Sequence, residues 1–285
     1  MEIKASQVKE LRDMSGVAMM ECKRALVDCE GDIQKALDLL RSNSALKAEK
    51  KASRVAADGI LRAFSGKNYS TLIEINSETD FASKDANFIG FADDVEGFIS
   101  QNKLLNISEI QESEIEEKRK TLVQTIGENI QLRRLETLEY DEGMNAGVYM
   151  HSDSKLASVV VVSGGDETLA KDIAMHVAAF NPLCLSQDDL DSEVLEREKA
   201  IYMVQAEESG KPKEIMDKMI EGKLKRYLSE VSLLSQSFVK DPDLTIQQLL
   251  DKNSATIDSY SRLKVGEGIE VETKNFADEV AEQLK

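Results

Sequence analysis

The sequence predicts an α+β protein in which a small helical unit precedes a larger body of antiparallel strands and helices. Apolar residues recur at helical spacing through the first forty positions, and alternating segments typical of strands follow between 55–76 and 131–162. Each strand-rich segment is followed by a helical one. This repeated order indicates that one α+β unit occurs twice, without detectable sequence identity. The 285 residues are enough for two or three small domains.

Residues 1–54 predict a three-helix bundle with a linker. The apolar positions, helix by helix, are Val8 and Leu11; Met19, Cys22, Ala25 and Leu26; and Ile33, Ala36, Leu37 and Leu40. Asp32 is the expected N-cap of the third helix. Such a small bundle has no room for a buried active site, so we expect a binding module. The charged, helix-favouring segment 45–54 is typical of a semi-rigid linker.

Residues 55–140 predict the first α+β unit. Two strands flank a turn at 65–68, a helical run with a break near 101–108 continues to Asn129, and a strand occupies 131–138. The second of these strands, 69–76, alternates apolar and polar residues. This alternation predicts a half-buried strand.

The stretch SETDFASKDANF (77–88) lies at a strand-to-helix corner and carries a large apolar ring, Phe81. Two interpretations are open from periodicity. Phe81 lies seven residues before Phe88, so an early helix start would make it the first core residue, with Asp80 as N-cap. Alternatively, the ring is exposed at the corner and contacts another protein.

Residues 141–263 predict the second unit, with strands at 146–151 and 155–162 and a helix that begins after its N-cap, Asp166. A helical hairpin within 187–228 follows, and we expect it to project, because two helices alone bury little surface. Strands are predicted at 231–239 and 258–265. The C-terminal module, 264–285, ends in an amphipathic helix at 275–284.

Charge restricts the class of partner. The chain has 36 basic and 53 acidic side chains, for a net charge of −17; residues 1–56 carry about +2, which leaves about −19 for the rest. Phosphate binding requires an excess of Lys and Arg, so nucleic acid is not expected as a direct partner. The absence of a long apolar run and of a signal peptide favours a cytoplasmic protein without membrane contact.

The sequence offers little catalytic chemistry. Its two histidines and three cysteines lack metal-ligand spacing, so we expect no metal and no cofactor. Gly164-Gly165 before a helix could bind an anion, although ordinary turn chemistry is favoured. His176 is predicted to be a half-buried packing residue, whereas His151 ends a strand in a polar loop and could equally be a contact residue. We therefore expect no enzyme; an enzyme that uses the Gly164-Gly165 turn and a stand-alone adaptor remain as alternatives.

Two stretches, LRDMSGVAMMECKRAL (11–26) and EINSETDFASK (74–84), resemble the signature motifs of bacterial elongation factor Ts. Other matching segments, in the same order as in that family, are KKASRVAADG (50–59), IGENIQLRR (126–134), IAMHVAA (173–179), SGKPKEI (209–215), FVKDP (238–242) and VGEGIE (265–270). Ala82 stands where the family usually has valine, and Ser15-Gly16-Val17 replaces its usual Thr-Gly-small sequence.

The resemblance implies a guanine-nucleotide exchange factor for elongation factor Tu in translation. It also implies a ubiquitin-associated-like bundle, two related α+β subdomains, an inserted helical hairpin, a C-terminal helix module and a possible higher-order complex through the core. The implied partner-binding residues are Thr79, Asp80, Phe81 and Ala82, in a turn that displaces Mg²⁺ from the GTPase; Arg12, Met19 and Met20 in the bundle; and His151.

Overall fold

The computed structural model describes residues 3–270, and its mixture of helices and small antiparallel sheets confirms the α+β class. The predicted helix at 275–284 lies outside these residues, so the C-terminal module stays a prediction. The helices are α1 (Ala5–Ser15), α2 (Met19–Asp28), α3 (Ile33–Lys51), α4 (Asp80–Ser83), α5 (Ala86–Asn102), α6 (Ile107–Gln111), α7 (Glu114–Ile126), α8 (Glu167–Phe180), α9 (Ser192–Glu208), α10 (Lys213–Val231) and α11 (Ile246–Lys252). The strands are β1 (Asp58–Gly66), β2 (Tyr69–Ser77), β3 (Gln131–Glu139), β4 (Asn145–Met150), β5 (Leu156–Ser163), β6 (Ser237–Phe238), β7 (Asp241–Thr245) and β8 (Thr256–Lys264).

Helices α1–α3 form a bundle around a core of their own. Asp32 caps α3, as predicted, by accepting a hydrogen bond from the Lys35 N–H. The segment 45–54, however, does not span a gap between domains. Most of it belongs to α3, which continues to Lys51, and Ala48 is buried in the core of the first α+β unit. One helix therefore belongs to both the bundle and the body.

The first unit pairs β1, β2 and β3 in an antiparallel sheet, in that order. Helices α5, α6 and α7 cover one face of this sheet. Their apolar stripes meet Ile73 and Ile75 of β2 in a continuous core that includes Phe88 and Val95. The break predicted near 101–108 is present, because α5 ends at Asn102 with Lys103 in the left-handed conformation.

The second unit has the same strand order, since β4, β5 and β8 form an antiparallel sheet with the middle strand again second. Asp166 caps α8, as predicted, through the Leu169 N–H. Helix α8 packs against the valines of β5. Helices α9 and α10 are inserted between β5 and its partner β8.

The two sheets pack face to face, so the body has four layers: helices, sheet, sheet, helices. Leu61 and Leu72 of the first sheet contact Val159 and Leu263 of the second. Strand β2 is consequently buried at all nine positions. The prediction of a half-buried strand was wrong, because the polar side of the strand faces the second sheet rather than solvent.

The α9–α10 hairpin is mostly exposed. Ala206 is its buried apolar residue, whereas Ile201, Val204 and Ile215 are exposed. Over residues 3–270, no helix is both long enough and apolar enough to cross a bilayer.

The predicted strand at 231–239 is also wrong. This segment is the end of α10, a short 3₁₀ turn and the two-residue strand β6. Helix α11, which follows, was not predicted.

Candidate functional site

The corner at 77–88 contains two separate helices. Thr79, in an extended conformation, caps the single-turn helix α4, because its hydroxyl accepts a hydrogen bond from the Ala82 N–H at 3.3 Å. Asp85 then caps α5 through the Asn87 N–H. The prediction of Asp80 as N-cap was wrong, since Asp80 is the first residue inside α4.

Phe81 lies on the outer surface of α4 with 81% of its area exposed, whereas Phe88 is fully buried. The interpretation of Phe81 as a core residue is therefore wrong. Phe81 is exposed because the helix is interrupted between α4 and α5. The interruption turns Phe81 away from the apolar stripe of α5, which begins at Phe88. Ala82 is 4% exposed and packs beneath the turn.

Three sets of hydrogen bonds hold the turn from below. The Glu128 carboxylate accepts from the Thr79 N–H at 2.9 Å and from its hydroxyl at 2.7 Å. The Glu78 carboxylate accepts from the Asn129 N–H at 2.6 Å. The Ser83 hydroxyl bonds to Asp58 of β1 at 3.4 Å. The exposed ring thus rests on a well-anchored backbone.

Asp80 and Lys84 form an exposed ion pair beside Phe81, with Nζ and Oδ2 2.6 Å apart. The hydrogen bond from Lys84 lowers the pKa of Asp80, and the same bond raises the pKa of Lys84. Both side chains are therefore charged at neutral pH. The turn consequently presents an apolar ring beside one negative and one positive group.

His151 lies close to this turn through a chain of polar contacts. Its Nδ1 is 3.0 Å from the Asp153 carboxylate, whose pKa is lowered mainly by the Lys155 N–H. The Lys155 ammonium in turn donates to both oxygens of Asp58 at 3.0 Å. Because Asp58 also bonds to α4, it joins the exposed His151 loop and the Phe81 turn at one edge of the two sheets.

The bundle residues Arg12, Met19 and Met20 are also exposed, with Met20 at 67%. The neighbouring Glu21 contacts both Lys47 of α3, at 2.6 Å, and Gln124 of α7. Burial raises the pKa of the Glu21 carboxyl, but the opposing hydrogen bonds from Lys47 and Gln124 leave it lowered overall. These contacts bring the N-terminal end of α2, which carries both methionines, next to the C-terminal end of α7, and α7 leads through Gly127 to Glu128.

Other candidates from the sequence have structural roles. His176 is fully buried; its Nδ1 accepts from the Val239 N–H at 3.2 Å, so Nε2 donates to Gln236 at 2.9 Å. Burial lowers its pKa, which keeps the ring neutral. A Cβ at Gly164 would lie 2.4 Å from the Ser254 carbonyl oxygen, so close packing explains this glycine. Residues 3–270 contain no cluster of three or more potential metal-ligating side chains.

Comparison with known proteins identifies the family. A family model described as "Elongation factor TS" matches residues 78–267, which include the turn from Thr79 onward, strand β3 and the whole second sheet. The chain is 50% identical over 285 residues to elongation factor Ts of Hahella chejuensis, with 99% of each chain covered. It is 43% identical to that of Hydrogenovibrio crunogenus (99% and 97% covered) and 44% identical to that of Teredinibacter turnerae (100% and 98% covered). The chain belongs to the elongation factor Ts family.

Within this member of the elongation factor Ts family, sequence reasoning missed the residues that hold the turn. Asp58 lies in the segment KKASRVAADG, and Glu128 and Asn129 lie in the segment IGENIQLRR. Both segments are far from the turn in sequence. Nothing in their spacing indicates that they meet α4. The segment IGENIQLRR matches the family and so marks Glu128 and Asn129 as residues of interest. It does not indicate that these residues bond to Thr79 and Glu78.

Proposed function

We propose that this protein is a guanine-nucleotide exchange factor, which binds elongation factor Tu with GDP, disturbs its Mg²⁺ and phosphate site and promotes GDP release for reloading with GTP. Membership of the elongation factor Ts family supports this proposal. The observation that carries it is the exposure of Phe81 on an anchored turn. In the isolated protein the exposed ring buries little apolar surface and so contributes little to stability. A partner that covers the ring would remove this apolar surface from water, which would stabilise the complex.

The energetics require more contacts than Phe81 alone. A nanomolar complex between a GTPase and GDP corresponds to about 12 kcal/mol. Burial of one phenylalanine contributes only about 1.5–3 kcal/mol. Exchange is therefore a coupling free energy spread over a wide interface: the factor binds the nucleotide-free GTPase more tightly, and nucleotide weakens its binding by the same factor.

We assign the additional contacts to the other exposed residues of the proposed interface. Arg12, Met19 and Met20 of the bundle form the second contact, in which flexible methionines follow a moving partner. His151 forms the third, next to the Phe81 turn. The turn itself contributes Thr79, Asp80 and Phe81 directly, and Ala82, which is buried beneath them, by supporting the turn.

Further parts of the proposal concern the molecule as a whole. The bundle is ubiquitin-associated-like, and the two units with the same strand order are related subdomains. The protein works in the cytoplasm as a binding protein and not as an enzyme, makes no direct contact with nucleic acid, and can form a higher-order complex through its core.

Release of fluorescently labelled GDP from elongation factor Tu, with and without this protein, tests the proposal. We expect release to accelerate in proportion to protein concentration and then to saturate. An unchanged release rate at saturating protein contradicts it. A protein that binds the GTPase through residues 1–54 alone, without faster release, is the stand-alone adaptor. Turnover of a substrate by the isolated protein instead identifies an enzyme.

A further inference from the structure

We propose that Glu128 and Glu78 are positioning residues, which form a reciprocal clamp that fixes the Phe81 turn before the partner binds. This inference rests on the proposed function, because the turn must act on the GTPase for its position to matter. The clamp itself is a property of the free protein. The clamp in the free protein and the action of the turn on the GTPase can therefore be tested separately.

The clamp consists of two pairs of consecutive residues, 78–79 and 128–129, that bond to each other crosswise. The carboxylate of the first residue in each pair accepts from the backbone N–H of the second residue in the other pair. These bonds are Glu128 to the Thr79 N–H, at 2.9 Å, and Glu78 to the Asn129 N–H, at 2.6 Å. The Thr79 hydroxyl adds a third bond to Glu128, at 2.7 Å. Charged acceptors make these bonds shorter and stronger than neutral ones.

The same clamp also holds the chain that leads from the N-terminal bundle. The Asn129 side chain is buried and donates to the Arg54 carbonyl at 2.7 Å and to the Ala52 carbonyl at 3.4 Å. The Arg54 guanidinium lies 3.4 Å from the Glu78 carboxylate. The ends of α3, α7 and β2 thus meet at one polar junction. The junction fixes the Phe81 turn relative to the helix that carries the bundle.

Fixing the turn in advance matters because α4 is a single turn of helix. Such a short helix has no stability of its own, and a loosely held Phe81 would have to be ordered when the partner binds. Ordering a loop at that moment opposes association, whereas a preorganised loop has already lost this freedom. Both hydrogen bonds between Glu128 and the turn go to Thr79, so the effect of Glu128 on Phe81 passes through Thr79.

The first experiment measures amide hydrogen exchange at Thr79 in the full-length free protein. Glu128→Gln removes the charge and one acceptor, so we expect Thr79 to exchange at least about tenfold faster, while buried amides of β2 are unchanged. Thr79→Ser retains both donors and should keep the protection. Glu112→Gln, an exposed glutamate in the same unit, is the matched control. Unchanged Thr79 protection in Glu128→Gln overturns the clamp, as does an equal acceleration throughout the protein, which indicates a general structural role.

The second experiment measures GDP release from elongation factor Tu over a range of exchange-factor concentrations. We expect Glu128→Gln to lower the apparent second-order rate constant for GDP release about fivefold or more, because the turn must then be ordered when the partner binds. In a Phe81→Ala background, the same change should have almost no further effect, because it acts through the ring. If Glu128→Gln slows GDP release as much in the Phe81→Ala background as it does in the wild-type protein, the inference is overturned. If Phe81→Ala itself has no effect on release, the proposed function of the turn fails instead, while the amide result still decides the clamp.

Discussion

Phe81→Ala separates stability from exchange activity. Phe81 hides about a fifth of its surface in the free protein, since 81% is exposed. Full burial of a phenylalanine contributes about 1.5–3 kcal/mol, so its removal should lower the free energy of unfolding by only about 0.3–0.6 kcal/mol. Phe88, seven residues later, is fully buried. We expect Phe88→Ala to lower it by about 3–5 kcal/mol, which makes it the matched control.

The exchange assay should rank the two variants in the opposite order. If Phe81 is buried by the GTPase only in the nucleotide-free complex, its loss removes about 1.5–3 kcal/mol from that state. The apparent second-order rate constant for GDP release then falls about 10- to 150-fold. Phe88→Ala should retain normal release at temperatures where it remains folded. Denaturant unfolding of the free variants and release of labelled GDP provide the two measurements.

Two results would refute this reasoning. A Phe81→Ala protein that unfolds as readily as Phe88→Ala would mean that the ring supports the fold despite its exposure. A Phe81→Ala protein that releases GDP at the wild-type rate would mean that the partner does not bury the ring. Asp80→Ala is a useful companion variant, because Thr79 and not Asp80 caps α4; it should leave stability almost unchanged.

The remaining predictions concern the bundle, the buried carboxylate of β2 and nucleic acid. Met19→Ser with Met20→Ser should raise the half-saturating concentration for GDP release about 5- to 30-fold, with no more than about 0.5 kcal/mol of stability lost; Val27→Ser, equally exposed on α2, is the control, and an unchanged concentration contradicts the second contact. Glu74→Gln should destabilise the fold by about 1.5–3 kcal/mol at pH 7, compared with Glu136→Gln, an exposed glutamate of β3. Although burial raises the pKa of Glu74, the Gly266 N–H and Arg134 hold it below the usual value of a glutamate. This stabilisation is therefore present above the usual glutamate pKa and is lost as the pH falls through the lowered pKa of the folded protein; a difference independent of pH contradicts the assignment. The isolated protein should show no RNA binding at about 0.15 M salt in a fluorescence anisotropy titration, and a micromolar dissociation constant for tRNA would overturn the charge argument.

Local chemistry made most of the elements predictable from the sequence. Asp32 and Asp166 could be identified as N-caps from the sequence because each precedes a clear apolar stripe, and in the structure each side chain accepts a backbone N–H of the first helical turn. The turn at 65–68 joins two strands as expected, with Asn68 in the left-handed conformation. Helix α11 could have been found as well, since Thr245 and Gln248 form a capping box at its start.

Long-range pairing explains what the sequence could not predict. The alternation in β2 is real, but its polar residues face the second sheet and not solvent. Glu74 accepts hydrogen bonds from Arg133 and Arg134 of the neighbouring strand β3 and from the Gly266 N–H, which follows β8. Those partners are about 60 and 190 residues away along the chain. The contact between Thr79 and Glu128 likewise joins residues 49 positions apart. Periodicity describes which face of an element is apolar, and it contains no information about what covers the other face.

The insertion of the helical hairpin between β5 and β8 has a consequence during synthesis. In the first unit, 53 residues separate the end of β2 from β3, whereas 92 separate the end of β5 from β8. At about 5–20 residues per second, a ribosome needs roughly 5–20 s to supply that last strand. Throughout this interval the valine-rich β5 has an unpaired edge, which is a template for aggregation. Chains that stop between 164 and 255 should therefore combine a first sheet with all three strands paired and a second sheet with an open edge, and we expect them to aggregate more readily than the full-length protein.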